Sequence, residues 1–315
     1  MEKKSLGRTG IFVSPICLGS LTMTPFQSNL TIAEGAHLIR SAGERGINFI
    51  DTAELYENYE YIAAGIKGVP RDQWVLATKT YAYDRLGAEK SLGRALQELG
   101  TDYIDLFLLH EQESIHTLRG HMQAIEYLLQ QKEAGTIRAV GISTHRVEGA
   151  RGFRQIPELD VIHPILNVDG IGIQGGNLED MLRELEAIKA QNRGIYAMKI
   201  LGGGHLIPEV ERAFAFVRGL RILDAVAVGM QSLEELEANI ALWQHGVLPE
   251  ELRLALGKKK RRLIVADYCI GCGNCERACR SGGIRLVEGR ATPTENCILC
   301  GYCARYCPEF CIKVI

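Results

Sequence analysis

Two runs of cysteine near the C-terminus carry the most specific chemistry in the sequence. Cys269, Cys272, Cys275 and Cys279 are separated by two, two and three residues. Cys297, Cys300, Cys303 and Cys307 repeat that spacing, with Pro308 directly after. Three thiolates on one tight loop can hold three iron corners of a four-iron cubane, while the fourth ligand must come from elsewhere in the chain. A zinc site of four cysteines needs only paired CxxC units, which would leave the third and fourth cysteine of each run without a role. Disulfides fit poorly, because the opening MEKKSLGRTG leads into no apolar segment of a secretion signal. A second set lies far upstream: Asp51, Tyr56, Lys79 and His110. A tyrosine whose pKa stays near its usual value of about 10 is a poor proton donor at neutral pH. An adjacent Lys79 ammonium is expected to stabilise the phenolate and lower that value. Asp51 would hold Lys79 in place, and His110 could orient a carbonyl oxygen by hydrogen bonding. Such a set protonates an oxygen while hydride reaches the carbon.

The elements that must position these residues alternate in type. Short β-rich runs occur at 16–21, 47–51, 74–79, 104–110, 137–143, 161–166, 194–199 and 223–228. Amphipathic helical patterns follow near 32–45, 57–67, 85–99, 120–134, 146–153, 177–192, 208–218 and 233–243. Eight strand–helix pairs predict a closed α/β barrel, a (β/α)8 TIM barrel, over residues 1–250. Asp51, Lys79 and His110 each end a strand, and Tyr56 follows just after one, so all four should project from the C-terminal rim. An open doubly wound sheet would place a glycine-rich phosphate turn after its first strand, and none is present. Thr31–Glu34 and Ser232–Glu235 read as capping boxes. Lys3–Val13 reads as a hairpin closing the barrel floor.

Composition agrees with this division. Hydrophobic residues make up 46% and charged residues 23% of 315, values of a packed chain. Nine of the ten cysteines fall between Cys269 and Cys311, leaving only Cys17 upstream. A formal net charge of -2 gives no reason to expect nucleic acid or an acidic membrane surface, and no apolar run is long enough to span a membrane. Residues 251–264 read as a basic linker, since Lys258, Lys259, Lys260, Arg261 and Arg262 are consecutive. They form a solvated connector or a docking strip for an acidic electron carrier. Residues 265–315 then form a small α+β unit with too little apolar core to fold without its clusters.

That unit resembles the bacterial two-cluster ferredoxins. The resemblance implies one 4Fe-4S cluster on Cys269, Cys272, Cys275 and Cys307, and another on Cys297, Cys300, Cys303 and Cys279, bringing the loaded charge to about -6. Arg280 stands where the first run of that family usually has Pro. Cys311 stands where the second usually has a small apolar residue, and it reads as a buried substitute for Ala.

Residues 3–245 resemble the aldo-keto reductases, through LGRTG at 6–10, INFIDTAELY at 47–56, ATKT at 77–80, GTDYIDLFLLH at 100–110, GTIRAVGIS at 135–143, YAMKILGGG at 196–204 and VGMQSLEELEANI at 228–240. The resemblance implies NAD(P)H bound in extended form and a small carbonyl substrate. It places Ser143 at the carboxamide, Met198 over the nicotinamide, Gly202 and Gly203 under the pyrophosphate and Asn239 at the adenine. Thr144, His163, Asn167, Lys199, Gln231 and Glu235 complete the cofactor contacts it implies. The departures are Thr144 for Asn, His163 for Gln and Met198 for Tyr. Glu235 replaces an Arg that meets the 2′-phosphate of NADP. A carboxylate there favours NAD, although a capping role beside Ser232 explains it equally well.

The fusion joins a two-electron hydride chemistry to one-electron clusters, and a flavin usually mediates between the two. Three functions follow. The barrel is a carbonyl reductase whose clusters serve structure, sensing or electron transfer. Alternatively it uses a flavin, or a flavoprotein or ferredoxin partner. In the third, the chain is a non-catalytic electron-transfer subunit, against which the complete set of Tyr, Lys, Asp and His argues. Oxygen-sensitive clusters lead us to expect an anaerobic cytoplasm.

Overall fold

The computed structural model describes residues 1–315 apart from 26, 259–261, 280, 298, 300, 301, 310 and 315. A hairpin of β1 (Lys4–Ser5) and β2 (Phe12–Val13) precedes eight parallel strands: β3 (Ile16–Gly19), β4 (Phe49–Asp51), β5 (Val75–Thr80), β6 (Ile104–Leu109), β7 (Ile137–Thr144), β8 (Val161–Pro164), β9 (Gly194–Ala197) and β10 (Ala225–Gly229). These close in sequence order, with β10 pairing back onto β3. All eight strands expected from the sequence are present. So are the helices that follow them: α1 (Ile32–Glu44), α2 (Tyr59–Ile66), α3 (Arg85–Leu99), α5 (Met122–Glu133), α6 (Val147–Arg154), α7 (Leu178–Ala190), α8 (Val210–Gly219) and α9 (Leu233–His245). One short helix, α4 (Ile115–Gly120), interrupts the β6–α5 connection.

The period of two along a strand decides which side chains enter the barrel. Cys17, Phe49, Val75, Ala77, Leu106, Leu108, Ala139, Val161, Tyr196 and Ala227 point inward and pack together. Two residues on from Phe49 is Asp51, from Ala77 is Lys79, from Leu108 is His110 and from Val161 is His163. The same alternation that fills the barrel with apolar side chains therefore delivers polar ones at its C-terminal end. Leu6, Ile11 and Val13 of the hairpin join this inner cluster, which is the floor expected of it. The opposite strand faces pack against the helices in one large apolar layer that includes Ile50, Leu76, Phe107 and Ile162.

The Thr31–Glu34 capping box forms in full. At α9 only half of the expected box forms. Ser232 Oγ accepts from the Glu235 amide, but the Glu235 carboxylate turns to the Gln231 amide, 2.8 Å away.

Part of the stretch 251–264, read as a linker, is helical. Helix α10 (Glu250–Gly257) packs Leu252 and Leu256 on the barrel's apolar layer, and its Arg253 pairs with Glu211 at 2.8 Å. Amphipathic spacing inside a charged stretch was the signal for this helix. Lys259, Lys260 and Arg261 of the basic run lie outside the described residues. Beyond it, β11 (Leu263–Val265) pairs with β14 (Ile312–Val314), and β12 (Ile284–Val287) with β13 (Arg290–Pro293), with the short α11 (Asn274–Ala278) between. The core of this unit is small: Ile284, Ala291, Ala304, Ile312 and four cysteines, Cys275, Cys303, Cys307 and Cys311.

The cysteine unit sits on the C-terminal rim of the barrel. Gln174 donates to the Pro308 carbonyl and Arg262 to the Gln27 carbonyl. Gly204, at φ +100°, leaves room that a Cβ would fill, 2.3 Å from the Val314 carbonyl oxygen. The glycine turn after β9 thus serves as the seat for β14.

Candidate active site

Asp51 is the hub. Its Oδ1 accepts from Lys79 Nζ at 2.6 Å and its Oδ2 from Tyr196 Oη at 2.9 Å. Lys79 Nζ also donates to the Thr52 carbonyl at 2.7 Å. The pair is almost wholly withdrawn from solvent, with Lys79 only 1% exposed. Tyr56 is carried by a single 3-10 turn, Glu54–Tyr56, that ends on Glu57 in left-handed backbone at φ +48°. The turn is anchored at both ends. Thr80 and Ser91 hydroxyls donate to Glu54 Oε2 at 2.9 and 2.8 Å. Asn58 accepts from Thr52 and donates to Ser20 Oγ at 2.9 Å.

The Lys79 ammonium faces the Tyr56 ring, 5.3 Å from its centroid, rather than bonding the hydroxyl. The expected lowering of the Tyr56 pKa is therefore not found. Burial pushes it well above the usual tyrosine value, and the Asp51 and Glu111 carboxylates push in the same direction. Lys79 fails to offset this because Asp51 already compensates its charge. Tyr56 thus holds its proton firmly.

His110 packs edge-on to Tyr56, with centroids 5.9 Å apart, and stacks on Tyr81 at 4.6 Å. Burial, reinforced by Lys79, drives its pKa well below the usual histidine value, so the ring is neutral. Among the described residues its buried Nδ1 has no hydrogen-bond partner, the condition of a group built to meet something else. His163 stacks on Tyr196 at 3.9 Å. Its Nδ1 lies 2.7 Å from the Tyr196 carbonyl and so carries the proton, and Nε2 points at Asp51 Oδ2 from 3.8 Å. Burial lowers its pKa to about 4.

Folding therefore favours the unprotonated His163 ring, while the unfolded chain takes up a proton below about pH 6.5. Between that pH and about 4, the unfolded state binds more protons, so stability falls as pH falls, by roughly 3 kcal/mol from this residue. His163→Gln should flatten that part of the curve. Urea midpoints of the barrel at pH 7 and pH 4.5, read from Trp74 and Trp243, check it. The gap between variant and parent must narrow at the lower pH.

A cavity of about 510 Å³ opens from Asp51 and Tyr56 at the barrel axis and runs out to Asn239 on α9 and Arg253 on α10. His163, Met198, Lys199, Gly203, Gln231 and Glu235 also line it. Its size is that of a cofactor or ligand site. The remaining sequence candidates are engaged elsewhere. Ser143 Oγ accepts from the Glu111 amide at 2.8 Å, and Thr144 Oγ1 closes on Arg146. Asn167 is tied to Ile171 through both ends of its amide, and Gly202 donates its N–H to the Lys199 carbonyl. Several residues of the site gave no sequence signal. Tyr196 looked like a core residue of a strand. Glu111, which accepts from Tyr81 Oη at 2.6 Å, looked like surface charge. Lys313 belongs to the other unit altogether.

The thiols of Cys269, Cys272, Cys275 and Cys307 line one cavity, together with Cys311. Among the described residues no three cysteine, histidine or acidic side chains close on a single point as a one-ion site would require. Four donors around a shared hollow suit the corners of a cubane. The Ala291 amide reaches Cys269 Sγ at 3.5 Å, a bond that favours the thiolate. Cys311 Sγ lies 3.2 Å from Cys307 Sγ in the apolar core. In the second set, the Gly283 amide donates to Cys279 Sγ at 3.1 Å, and the bare Gly283 Cα packs against Cys297. Cys303 is buried in the same core, while Cys300 lies outside the described residues, as does Arg280.

Comparison with known proteins identifies both units. The aldo/keto reductase family model matches residues 15–219, and a 4Fe-4S binding domain matches residues 263–285. The chain belongs to the aldo/keto reductase family. An aldo-keto reductase of Bacillus subtilis is 33% identical over 53% of this chain and 54% of that one. The NADH-specific methylglyoxal reductase of Escherichia coli is 29% identical over 51% of this chain and 58% of that one. The chain thus spans about half the length of these curated relatives. A solved aldo-keto reductase structure from Pseudomonas aeruginosa superposes with a TM-score of 0.67 at 27% identity, covering 78% of this chain and 95% of that one. Among the described residues no helix is long and apolar enough to cross a membrane.

Proposed function

We propose that the barrel transfers hydride between a nicotinamide cofactor and a small carbonyl or alcohol substrate, and that the C-terminal unit holds two 4Fe-4S clusters. One observation carries the first part: Asp51 and Tyr56 line a cavity of about 510 Å³, with Lys79 bonded to Asp51 and His110 packed against Tyr56 directly behind them. Met198, Gly203, Gln231, Glu235 and Asn239 would hold the dinucleotide, which when bound supplies the hydride. Tyr56 Oη keeps its proton for the carbonyl oxygen. Asp51 fixes Lys79 beneath the Tyr56 ring, where the ammonium favours the phenolate once that proton has left. His110, neutral and unpartnered at Nδ1 among the described residues, orients the substrate oxygen. Glu235 on the cavity wall and the NADH-specific Escherichia coli relative support NAD over NADP.

A second reading is favoured by the position of β14. Lys313 and Val314 wall the cavity that Tyr56 enters, so the cluster-binding unit closes the chamber in which hydride would move. Electron exchange between the two would pass through a flavin in the barrel or a flavoprotein or ferredoxin partner. Anaerobic purification tests both readings. About eight irons and matching sulfide per chain are expected, with NADH-dependent reduction of methylglyoxal and no released flavin. Yellow flavin in the extract, with electrons passing to ferredoxin instead, would favour the second reading.

A further inference from the structure

The carboxylate at the centre of the site has a second donor that the proposed chemistry leaves without a task. Tyr196 stands on β9, inside the barrel, and β9 is three strands round the closed sheet from β4, which carries Asp51. The phenol crosses the interior to reach it. Tyr196 Oη donates to Asp51 Oδ2 at 2.9 Å, while Lys79 Nζ holds Oδ1 at 2.6 Å. A hydroxyl packed among Phe49, Val75, Ala139 and Ala225 is costly unless it is bonded, and a phenylalanine would fill the same space. The ring is fixed without the hydroxyl: His163 stacks on it at 3.9 Å, Phe49 packs at 5.0 Å, and the Tyr196 carbonyl meets His163 Nδ1 at 2.7 Å. Tyr196 is wholly buried, so its influence on the reaction runs through Asp51. Burial, with the Asp51 carboxylate beside it, keeps the phenol protonated well above the usual tyrosine range, so the bond persists at every working pH. A donor on one carboxylate oxygen draws negative charge toward that oxygen and away from the other. Lys79 is then less completely cancelled by Asp51, and more of its field reaches the Tyr56 ring, 5.3 Å from the ammonium.

We propose that Tyr196 is a positioning residue of the active site: by binding the second oxygen of Asp51 it fixes that carboxylate and leaves Lys79 enough positive charge to stabilise the Tyr56 phenolate. The proposal deepens the carbonyl-reductase reading and rests on it for the reaction. The hold on Asp51 is a property of the folded chain and can be measured without turnover. Besides Asp51 and Lys79, the titratable groups around Tyr56 are His110, Glu111, Tyr81 and Tyr268, and Cys17 and His163 lie beside Tyr196. His163 Nε2 faces Asp51 Oδ2 from 3.8 Å, beyond a hydrogen bond. Removing the Tyr196 hydroxyl leaves all of these side chains present, so a change in Tyr56 reports the lost bond.

The experiment has two arms, both on the anaerobically purified full chain. The first is the pH dependence of kcat for oxidation of hydroxyacetone by NAD, the direction in which Tyr56 must accept the proton. In Tyr196→Phe the limb on which kcat rises should move up by about one pH unit, a tenfold loss at any pH below it. KM should stay within about threefold. Replacing Tyr196 by 3-fluorotyrosine, a stronger donor of nearly the same shape, should hold the limb at the parent position or below it. Repacking alone would alter KM or stability and leave the limb in place. The second arm is urea unfolding. Tyr196→Phe should raise the unfolding constant at least about fivefold in the parent. It should not raise it in an Asp51→Leu/Lys79→Met background, where the hydroxyl has no carboxylate to bind. An equal loss in both backgrounds overturns the proposal, and so does a limb that stays where it was. If the parent turns over and the limb is unmoved, the carbonyl reading stands and the role of Tyr196 falls. If the stability loss is confined to the parent background but the parent neither reduces methylglyoxal nor oxidises hydroxyacetone, the carbonyl reading fails and the hold on Asp51 stands.

Discussion

Tyr56→Phe should lower kcat for NADH-dependent carbonyl reduction by about a thousandfold, with little change in KM. The substitution removes one oxygen from a residue whose ring contacts stay in place: the edge of His110 at 5.9 Å and the Lys79 ammonium at 5.3 Å. No hydrogen bond that shapes the loop is lost, because Glu54 and Asn58 hold it independently. Fold, cluster spectrum and dinucleotide binding should therefore be those of the parent. The proton is what disappears. Burial and nearby carboxylates make the Tyr56 hydroxyl a reluctant donor in the free protein. Its transfer therefore depends on charge developing on a substrate oxygen beside it and on Lys79 stabilising the phenolate that results. Steady-state kinetics with methylglyoxal measure the effect, and a variant retaining activity within about threefold would remove Tyr56 from the reaction.

The second large effect is on stability. Asp51→Ala leaves Lys79 Nζ buried with the Thr52 carbonyl as its one remaining acceptor and strips Tyr196 Oη of its own. Breaking a buried pair by deleting one partner costs about 3–5 kcal/mol, which is a large share of a domain's net stability. The doubly substituted Asp51→Leu/Lys79→Met chain should recover much of that loss, since no isolated charge then remains. It should show no turnover at all. Urea unfolding followed by tryptophan fluorescence tests both arms, because Trp74 and Trp243 lie in the barrel. A loss below about 1 kcal/mol for Asp51→Ala would mean that the pair is not shielded as described.

Much of this was legible in the sequence because it is local. Each barrel strand announces itself by its own composition, and residue order along a strand fixes that Asp51, Lys79 and His110 share the inner face with Phe49, Ala77 and Leu108. The cysteine spacing is likewise contained in short segments. What could not be read are contacts made by closure of the barrel or by docking of the two units. Tyr196 meets Asp51 across 145 positions, and Arg262 reaches Gln27 across 235. The Lys79–Tyr56 relation was anticipated in membership but not in geometry, since whether an ammonium meets a hydroxyl or a ring depends on the loop's exact path. The ordered helix α10 was hidden by the basic run beside it. Ser143, Thr144 and Asn167 are polar residues whose hydrogen bonds turn back to the chain itself, a choice that residue type alone does not reveal.

The most direct measurement follows the hydride. NADH carrying deuterium at the transferable C4 position is incubated anaerobically with the full chain and methylglyoxal, and the alcohol product is analysed by mass spectrometry. Deuterium on the new carbinol carbon, at one atom per molecule and lost in parallel with activity in Tyr56→Phe, is the predicted result. Deuterium released to water while an added ferredoxin is reduced, with no label in any alcohol, would contradict direct transfer in the barrel.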